Sequence, residues 1–193
     1  MKTKFLILTA TLLLGGCALG AKAPPFLLTI TPVESPLANN GSIVAVGDGL
    51  TITVPIVPQV IANNRVPVAK NGTAIAYIKD AVWVEPPAKL FQRLLSETVR
   101  LKTGRPVFDQ RQFGLDQGKQ LSGQLLHFEI DETSNKAIIV YDATLSGGKD
   151  KAIRTRRFEA QSPVGKIEAR AAGDALNRAA NKVATDVAEW VGS

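Results

Sequence analysis

Hydrophobic and polar positions follow two spacings along this chain, and these spacings predict many short strands and two longer helices. A period of two, or a short apolar run between turn-forming residues, marks the predicted strands. An Asn71-Gly72 dipeptide, which is favoured in two-residue hairpin turns, is expected to join two of them. In chain order the predicted strands are 26–31, 42–46, 50–57, 66–69, 73–78, 126–131, 137–145 and 152–161.

Two segments repeat their apolar residues at helical spacing. The first is expected to begin at Glu85-Pro86-Pro87, because proline is tolerated in the first turn of a helix, and to end at Gly104 and Pro106. The second is rich in alanine, begins near Ile167 and runs almost to the last residue. The sequence therefore predicts a single α+β domain, in which a largely antiparallel or mixed sheet carries two main helices on one face.

The N-terminal segment has a different pattern from the rest of the chain. Basic residues precede an apolar run at 5–14, which is too short to cross about 30 Å of hydrocarbon. The sequence Leu14-Gly15-Gly16-Cys17 resembles the cleavage and lipidation motif of bacterial lipoproteins. We therefore predict a cleaved lipoprotein signal peptide at 1–16, a lipidated N-terminus and flexible spacer at 17–25, and the folded domain at 26–193. The alternative is an uncleaved chain with a buried Cys17.

The excess of positive charge is concentrated in one part of the chain. The formal charge is +6, and loss of Lys2 and Lys4 with the signal peptide would lower it to +4. Much of the surplus lies between Lys149 and Lys182, where Arg154, Arg156 and Arg157 share one predicted strand. These three arginines are a possible contact for anionic lipid or for a protein partner, and a solvated face is the alternative.

The sequence offers few residues for catalysis or metal binding. His127 is the only histidine and is predicted to share the polar face of a strand with Glu129 and Asp131. The segment 114–120 resembles a phosphate-binding loop but has too short a spacing between its glycines and lacks the following Ser or Thr. We therefore predict no catalytic residues, no metal, no cofactor other than the covalent lipid on Cys17, and no nucleic-acid partner, since aromatic residues make up only 6% of the chain.

Four segments in a fixed order resemble a known family. They read LTITVPIVPQVIANNRVPV, AVWVEPPAKLFQRLLSETV, RTRRFEAQSPV and ALNRAANKVATDVAEWVG. Together with the lipidation motif they resemble the ABC-type transport auxiliary lipoproteins, which accompany lipid-transport systems of the mammalian-cell-entry (MCE) type, including the paraquat-inducible type. Trp83 matches a tryptophan of that family and is expected to be a buried anchor for the first helix.

The resemblance implies a non-catalytic subunit that helps a transporter move lipids or other hydrophobic substrates between two membranes. Its implied partners are an MCE-type periplasmic protein and an ABC permease complex, with a lipid ligand and homo-oligomerisation also possible. Family members commonly carry an aromatic-Leu-Asp motif where this chain has Gln59, Val60 and Ile61, so this bend is a possible partner contact of different chemistry. Ala18 follows Cys17 in place of an aspartate that often retains lipoproteins in the inner membrane, which favours the periplasmic face of the outer membrane.

Two other functions stay open on the sequence alone. One is a periplasmic enzyme that would use His127 and the neighbouring carboxylates. The other is a structural or assembly lipoprotein of the outer membrane, with the arginine-rich strand touching anionic lipid. Salt-sensitive binding to anionic vesicles would be expected only of the second.

Overall fold

The structure, a computed structural model, describes residues 23–33, 48–108, 118–148 and 152–193. Cys17 and the predicted strand at 42–46 lie outside these ranges. The elements are β1 Leu50–Ile52, β2 Arg65–Lys70, β3 Ala74–Val82, α1 Pro87–Thr103, β4 Val107–Phe108, β5 Lys119–Asp131, β6 Lys136–Gly147, β7 Arg154–Pro163 and α2 Ala169–Gly192.

The central strand of the sheet is β5. One of its edges pairs antiparallel with β6, which pairs antiparallel with β7. Its other edge is shared, because β1 pairs parallel with its first residues and β2 pairs parallel near its end. The short β4 then extends the sheet beside β1, and β3 forms a hairpin with β2. Among the described residues, a mixed sheet of seven strands with two helices confirms the predicted α+β class.

Both helices pack on one face of the sheet and cover its apolar side. The Trp83 and Phe128 rings meet edge to face at 5.6 Å between centroids, and Phe91 of α1 and Tyr141 meet in the same way at 5.2 Å. All four rings are fully buried. The predicted role of Trp83 as a core residue beside the start of α1 is consistent with this packing, which adds aromatic contact energy to the burial of large apolar surfaces.

Turn and cap residues explain where the predicted elements begin and end. Pro87 occupies the first turn of α1, and Gly104 ends it in the left-handed conformation at φ 67°, with its N–H donating to the carbonyl of Arg100. Asn71 and Gly72 both have positive φ, at 50° and 75°, as a tight hairpin turn requires. The signals at these positions are local, so they could be read from the sequence.

The strand β5 begins earlier than predicted, and a β-bulge is the reason. Leu125 pairs with Tyr141 and His127 pairs with Val140, so Leu126 is an extra residue in the ladder. Before the bulge Leu121 and Leu125 point into the core, and after it Phe128 and Ile130 do so. The bulge shifts which positions face the core and so interrupts the period of two. For this reason the sequence pattern did not predict residues 119–125 as part of the strand.

Two other predicted strands are shorter than expected. Within 50–57 the ladder stops at Ile52, because Pro55 and Pro58 have no N–H to donate, and only a single bridge from Ile56 to Gln124 continues it. Within 26–31 only Leu28 bridges the sheet, at Trp83.

The segment 23–33 is held mainly by α2. Leu28 packs over Gly173, where a Cβ atom would stand 2.7 Å from the Leu28 Cδ2 atom. Farther along, the N–H of Thr31 donates to the Asn177 side chain and the N–H of Val33 donates to the Asn181 side chain. The Arg170 guanidinium lies 4.9 Å from the centroid of the Phe26 ring, so the segment enters the domain at the N-terminal end of α2.

Candidate interaction surface

The bend at Gln59–Ile61 forms one turn of 3-10 helix beside β5. Ile61 is fully buried and belongs to the core, whereas Gln59 is exposed. The carbonyl of Val60 accepts hydrogen bonds from the Tyr77 hydroxyl and the Asn63 amide, both at 3.2 Å. Of the three residues predicted as a partner contact, Gln59 therefore offers its side chain, while Val60 and Ile61 fix the position of the bend.

An exposed apolar ridge leads into this bend. Val54 is 42% exposed and Ile56 is 70% exposed, and both flank the buried Pro55. Backbone hydrogen bonds hold the ridge against β5, with the Ile56 N–H donating to Gly123 at 3.0 Å and the Ile56 carbonyl accepting from Leu125 at 2.9 Å. Sequence reasoning missed this ridge because it assigned the whole of 50–57 to one strand. Pro55 and Pro58 could have indicated the ridge, because prolines limit strand pairing and leave neighbouring side chains outside the core.

The three arginines of β7 do not form one patch. Arg154 and Arg156 pair with Leu145 and Ala143, which are buried on the helix-covered face. Their guanidinium groups lie 5.3 Å from the Trp190 ring and 5.1 Å from the Phe158 ring, respectively.

Arg157 faces the other side of the sheet, because successive side chains of a strand point in opposite directions. It forms a two-pronged ion pair with Asp142, at 2.6 and 2.7 Å. Hydrogen bonding to Arg157 lowers the pKa of Asp142, and the carboxylate in turn raises the pKa of Arg157. The positive charge of Arg157 is thereby compensated within the domain.

His127 and Glu129 are brought together on the open face of β5. The His127 Nδ1 atom lies 2.6 Å from the Glu129 Oε1 atom, and the carboxylate is mostly buried while the imidazole is half exposed. Asp131 is engaged instead with Ser134 of the following turn, and hydrogen bonds from that residue lower its pKa. The sequence correctly placed the three residues on one strand, and the structure joins only the first two.

A cleft of about 290 Å³ is lined by residues of α1, of α2 and of the end of the segment 23–33. Val33 and Leu101 give it apolar walls, and Lys102, Arg178 and Lys182 carry positive charge at its rim. Two of these cations are engaged, since Arg178 donates to Ser162 and Pro163 and Lys182 pairs with Asp186. The predicted lipid ligand stays a prediction.

Neither a cluster of metal ligands nor a membrane-spanning helix is found in the described ranges. Across 23–33, 48–108, 118–148 and 152–193, no three His, Cys, Asp or Glu side chains come together in a group that could hold a metal ion. Within the same residues no helix is both long enough and apolar enough to span a bilayer.

The fold resembles solved structures over most of its length. Protein XCC0632 from Xanthomonas campestris, of the DUF330 family, is 19% identical, with a TM-score of 0.69 over 86% of this chain and 94% of that one. The crystal structure of an uncharacterized protein is 14% identical, with a TM-score of 0.65 over 76% of this chain and 94% of that one. At these identities the likeness establishes the fold alone. Proteins with curated descriptions gave no match.

The sequence itself matches a family model across almost the whole folded domain. The match extends over residues 26–188, from the segment that enters along α2 to the last turns of that helix, and the family is described as the ABC-type transport auxiliary lipoprotein component. This agrees with the resemblance seen in the four ordered segments. The chain belongs to the family of ABC-type transport auxiliary lipoprotein components.

Proposed function

We propose that this protein is a non-catalytic subunit of an ABC-type, MCE-associated system that moves lipids or other hydrophobic substrates between the two membranes. The observation that carries this proposal is the family match over 26–188. Lipids on Cys17 would tether the domain to the periplasmic face of the outer membrane. The energy for transport would come from the partner ATPase.

The geometry supports a binding role more than a catalytic one. Ile56 and Gln59 are exposed, yet the backbone around them is fixed by hydrogen bonds to β5, Asn63 and Tyr77. A rigid exposed ridge loses little conformational entropy when a partner covers it. We therefore assign Ile56 and Gln59 to the contact with the MCE-type protein or the permease.

Affinity capture of the lipidated protein from detergent-solubilised envelopes tests this function. The wild-type chain should recover an MCE-type protein or its permease, and recovery of neither would contradict the proposal. An Ile56→Glu, Gln59→Arg variant should recover less of the same partner. Ile75→Glu on β3 is the matched control, because Ile75 is also a half-exposed apolar side chain and lies opposite Ala69, at the turn end of the β2–β3 hairpin.

Membrane location and catalysis are tested separately. Separation of inner and outer membranes on a density gradient should place the protein in the outer-membrane fraction, and a Cys17→Ala variant should lose membrane attachment. If the His127–Glu129 pair were catalytic, His127→Ala would abolish a growth phenotype that depends on the protein. We expect that phenotype to be unchanged in His127→Ala.

A further inference from the structure

One end of the domain concentrates positive charge beside aromatic and apolar surface. Here Arg154 stacks near Trp190, Arg156 stacks near Phe158, and the Trp190 and Phe158 rings meet edge to face at 5.6 Å. Lys119 joins Arg154 in lining a small recess that also reaches Ser193. Next to them Ile153 is 72% exposed. We call this the Arg154 surface, comprising Lys119, Ile153, Arg154, Arg156 and Trp190.

Within the described ranges, the positive charges of the Arg154 surface are not compensated by ion pairs, in contrast to that of Arg157. Among the described residues, Lys119, Arg154 and Arg156 have no carboxylate within ion-pair distance, whereas Lys70, Arg93 and Lys182 each have one. Stacking on aromatic rings orients two of the guanidinium groups without neutralising them. Arginine and tryptophan are also the residues that most often dominate the energetics of protein interfaces. The surface is therefore charged, its two arginines are oriented by aromatic rings, and Ile153 adds exposed apolar area.

The tether enters the domain at the opposite end. Phe26 lies against Arg170, in the first turn of α2, whereas Trp190 lies in the last turn. Twenty residues of helix separate these two positions, which corresponds to about 30 Å at a rise of about 1.5 Å per residue. The strand β7 also leads away from the Arg154 surface for about 33 Å, since its ten residues begin at Arg154 and end at Pro163, six positions before α2 begins.

The distance between the tether and the Arg154 surface bears on which of two anionic partners this surface would bind, the lipid headgroups of the anchoring membrane or an acidic protein. The chain from Cys17 to Phe26 spans at most about 30 Å when every residue is extended. To bring the Arg154 surface to the anchoring bilayer, either this tether would have to extend fully along the domain or the domain would have to lie on its side. A position away from that bilayer needs no such extension, which favours an acidic protein surface over the lipid headgroups of the anchoring membrane.

We propose that the Arg154 surface is a docking site for an acidic protein surface with an apolar recess, held on the side of the domain away from the anchoring membrane. This inference rests on the proposed function, because the partner would be a subunit of the transport system. It is separate from the Ile56 and Gln59 contact, which lies on the other face of the sheet.

Orientation can be measured by energy transfer to the membrane. Because Cys17 is the only cysteine and would be blocked by lipid, a cysteine introduced elsewhere provides a single labelling site. Donor dyes on Ile153→Cys and on Lys166→Cys, near the start of α2, are compared in lipidated protein reconstituted into phosphatidylcholine–phosphatidylglycerol vesicles with acceptor-labelled headgroups. Transfer should be weaker from position 153 than from position 166. Equal or stronger transfer from position 153 would place the surface on the membrane and overturn the proposal.

Docking can be measured by charge reversal in the same envelope capture. Arg154→Glu with Arg156→Glu should reduce recovery of the transporter subunit by about tenfold or more. Lys79→Glu with Lys89→Glu makes the same change in net charge at two exposed positions elsewhere and should leave recovery unchanged. Circular dichroism of both variants confirms that they fold.

The outcomes separate the two proposals. If the wild-type chain recovers no transporter subunit, the proposed function fails and this inference falls with it. If the wild type and the Arg154, Arg156 variant recover the subunit equally, only the docking site is overturned. If the variant loses association between copies of this chain while subunit recovery is unchanged, the surface joins copies and the docking proposal is also overturned.

Discussion

Asn181 of α2 joins the N-terminal segment to the domain through its side-chain amide. The amide oxygen accepts from the Val33 N–H at 2.9 Å, and the amide nitrogen donates to the Thr31 carbonyl at 2.9 Å and to the Asn177 carbonyl at 2.8 Å. The residue is 8% exposed, so water cannot easily replace these bonds. An Asn181→Ala substitution removes all three and leaves the backbone groups of the segment without this partner.

The size of the effect can be worked out from these contacts. Each hydrogen bond contributes about 1 kcal/mol net to folding, which gives a loss of about 3 kcal/mol. Alanine is a better helix former than asparagine by about 0.6 kcal/mol, which offsets part of that loss. We expect Asn181→Ala to lower the free energy of unfolding by about 2 kcal/mol.

Urea denaturation, followed by tryptophan fluorescence, measures this change. Asp174→Ala is the matched control, because Asp174 is exposed on the same helix and gains the same helix propensity without losing a hydrogen bond. Hydrogen exchange at the Val33 amide should also become faster in Asn181→Ala. If the two variants were equally stable, the amide would not be what fixes the segment to α2, and the reasoning would be refuted.

Three further substitutions test other parts of the structure. Tyr141→Phe should leave stability unchanged or raise it by about 1 kcal/mol in thermal unfolding, because the buried hydroxyl has no hydrogen-bond partner among the described residues; a clear loss would show that it has one. Gly123→Ala should destabilise the domain by about 3 kcal/mol or prevent folding, because its Cβ would stand 2.2 Å from the Asp142 carbonyl oxygen. Gly192→Ala is the control and should be tolerated, because the nearest contact of its Cβ is at 3.5 Å. Asp142→Asn should flatten the acid limb of a stability–pH curve, because the pKa of Asp142 is lowered in the folded state. The contribution of this carboxylate to stability is present above its unfolded pKa near 3.8 and is lost as the pH falls through the folded pKa. An identical acid limb in wild type and variant would contradict this.

Local signals in the sequence were sufficient for the elements that local chemistry determines. Gly104 ends α1, and Asn71-Gly72 turns the β2–β3 hairpin, because positive φ angles favour these residues wherever the turn occurs. Apolar periodicity predicted the order of the longer strands and of the two helices, but it did not predict the short β4 at Val107–Phe108. The pairing of the strands did not follow from periodicity, because nothing in the sequence near β5 indicates that β1 and β2 share its second edge in parallel.

The candidate surfaces also include features that the sequence could predict and features that it could not. The sequence placed Arg154, Arg156 and Arg157 together, but the alternation of a strand sends Arg157 to Asp142 on the opposite face. That separation could have been predicted from period-two geometry alone. The stacking of Arg154 on Trp190 could not, because it depends on the end of α2 packing over the start of β7.

Attachment of the N-terminal segment to α2 also has a consequence for the order of folding. Thr31 and Val33 bond to residues that follow them by 146 to 150 positions, so this contact cannot form until nearly the whole chain is available for folding. Hairpins β2–β3 and β5–β6 close much smaller loops and can form earlier, because the entropic cost of closure rises with loop length. The segment 23–33 is therefore expected to join the domain last, after the C-terminal helix is in place.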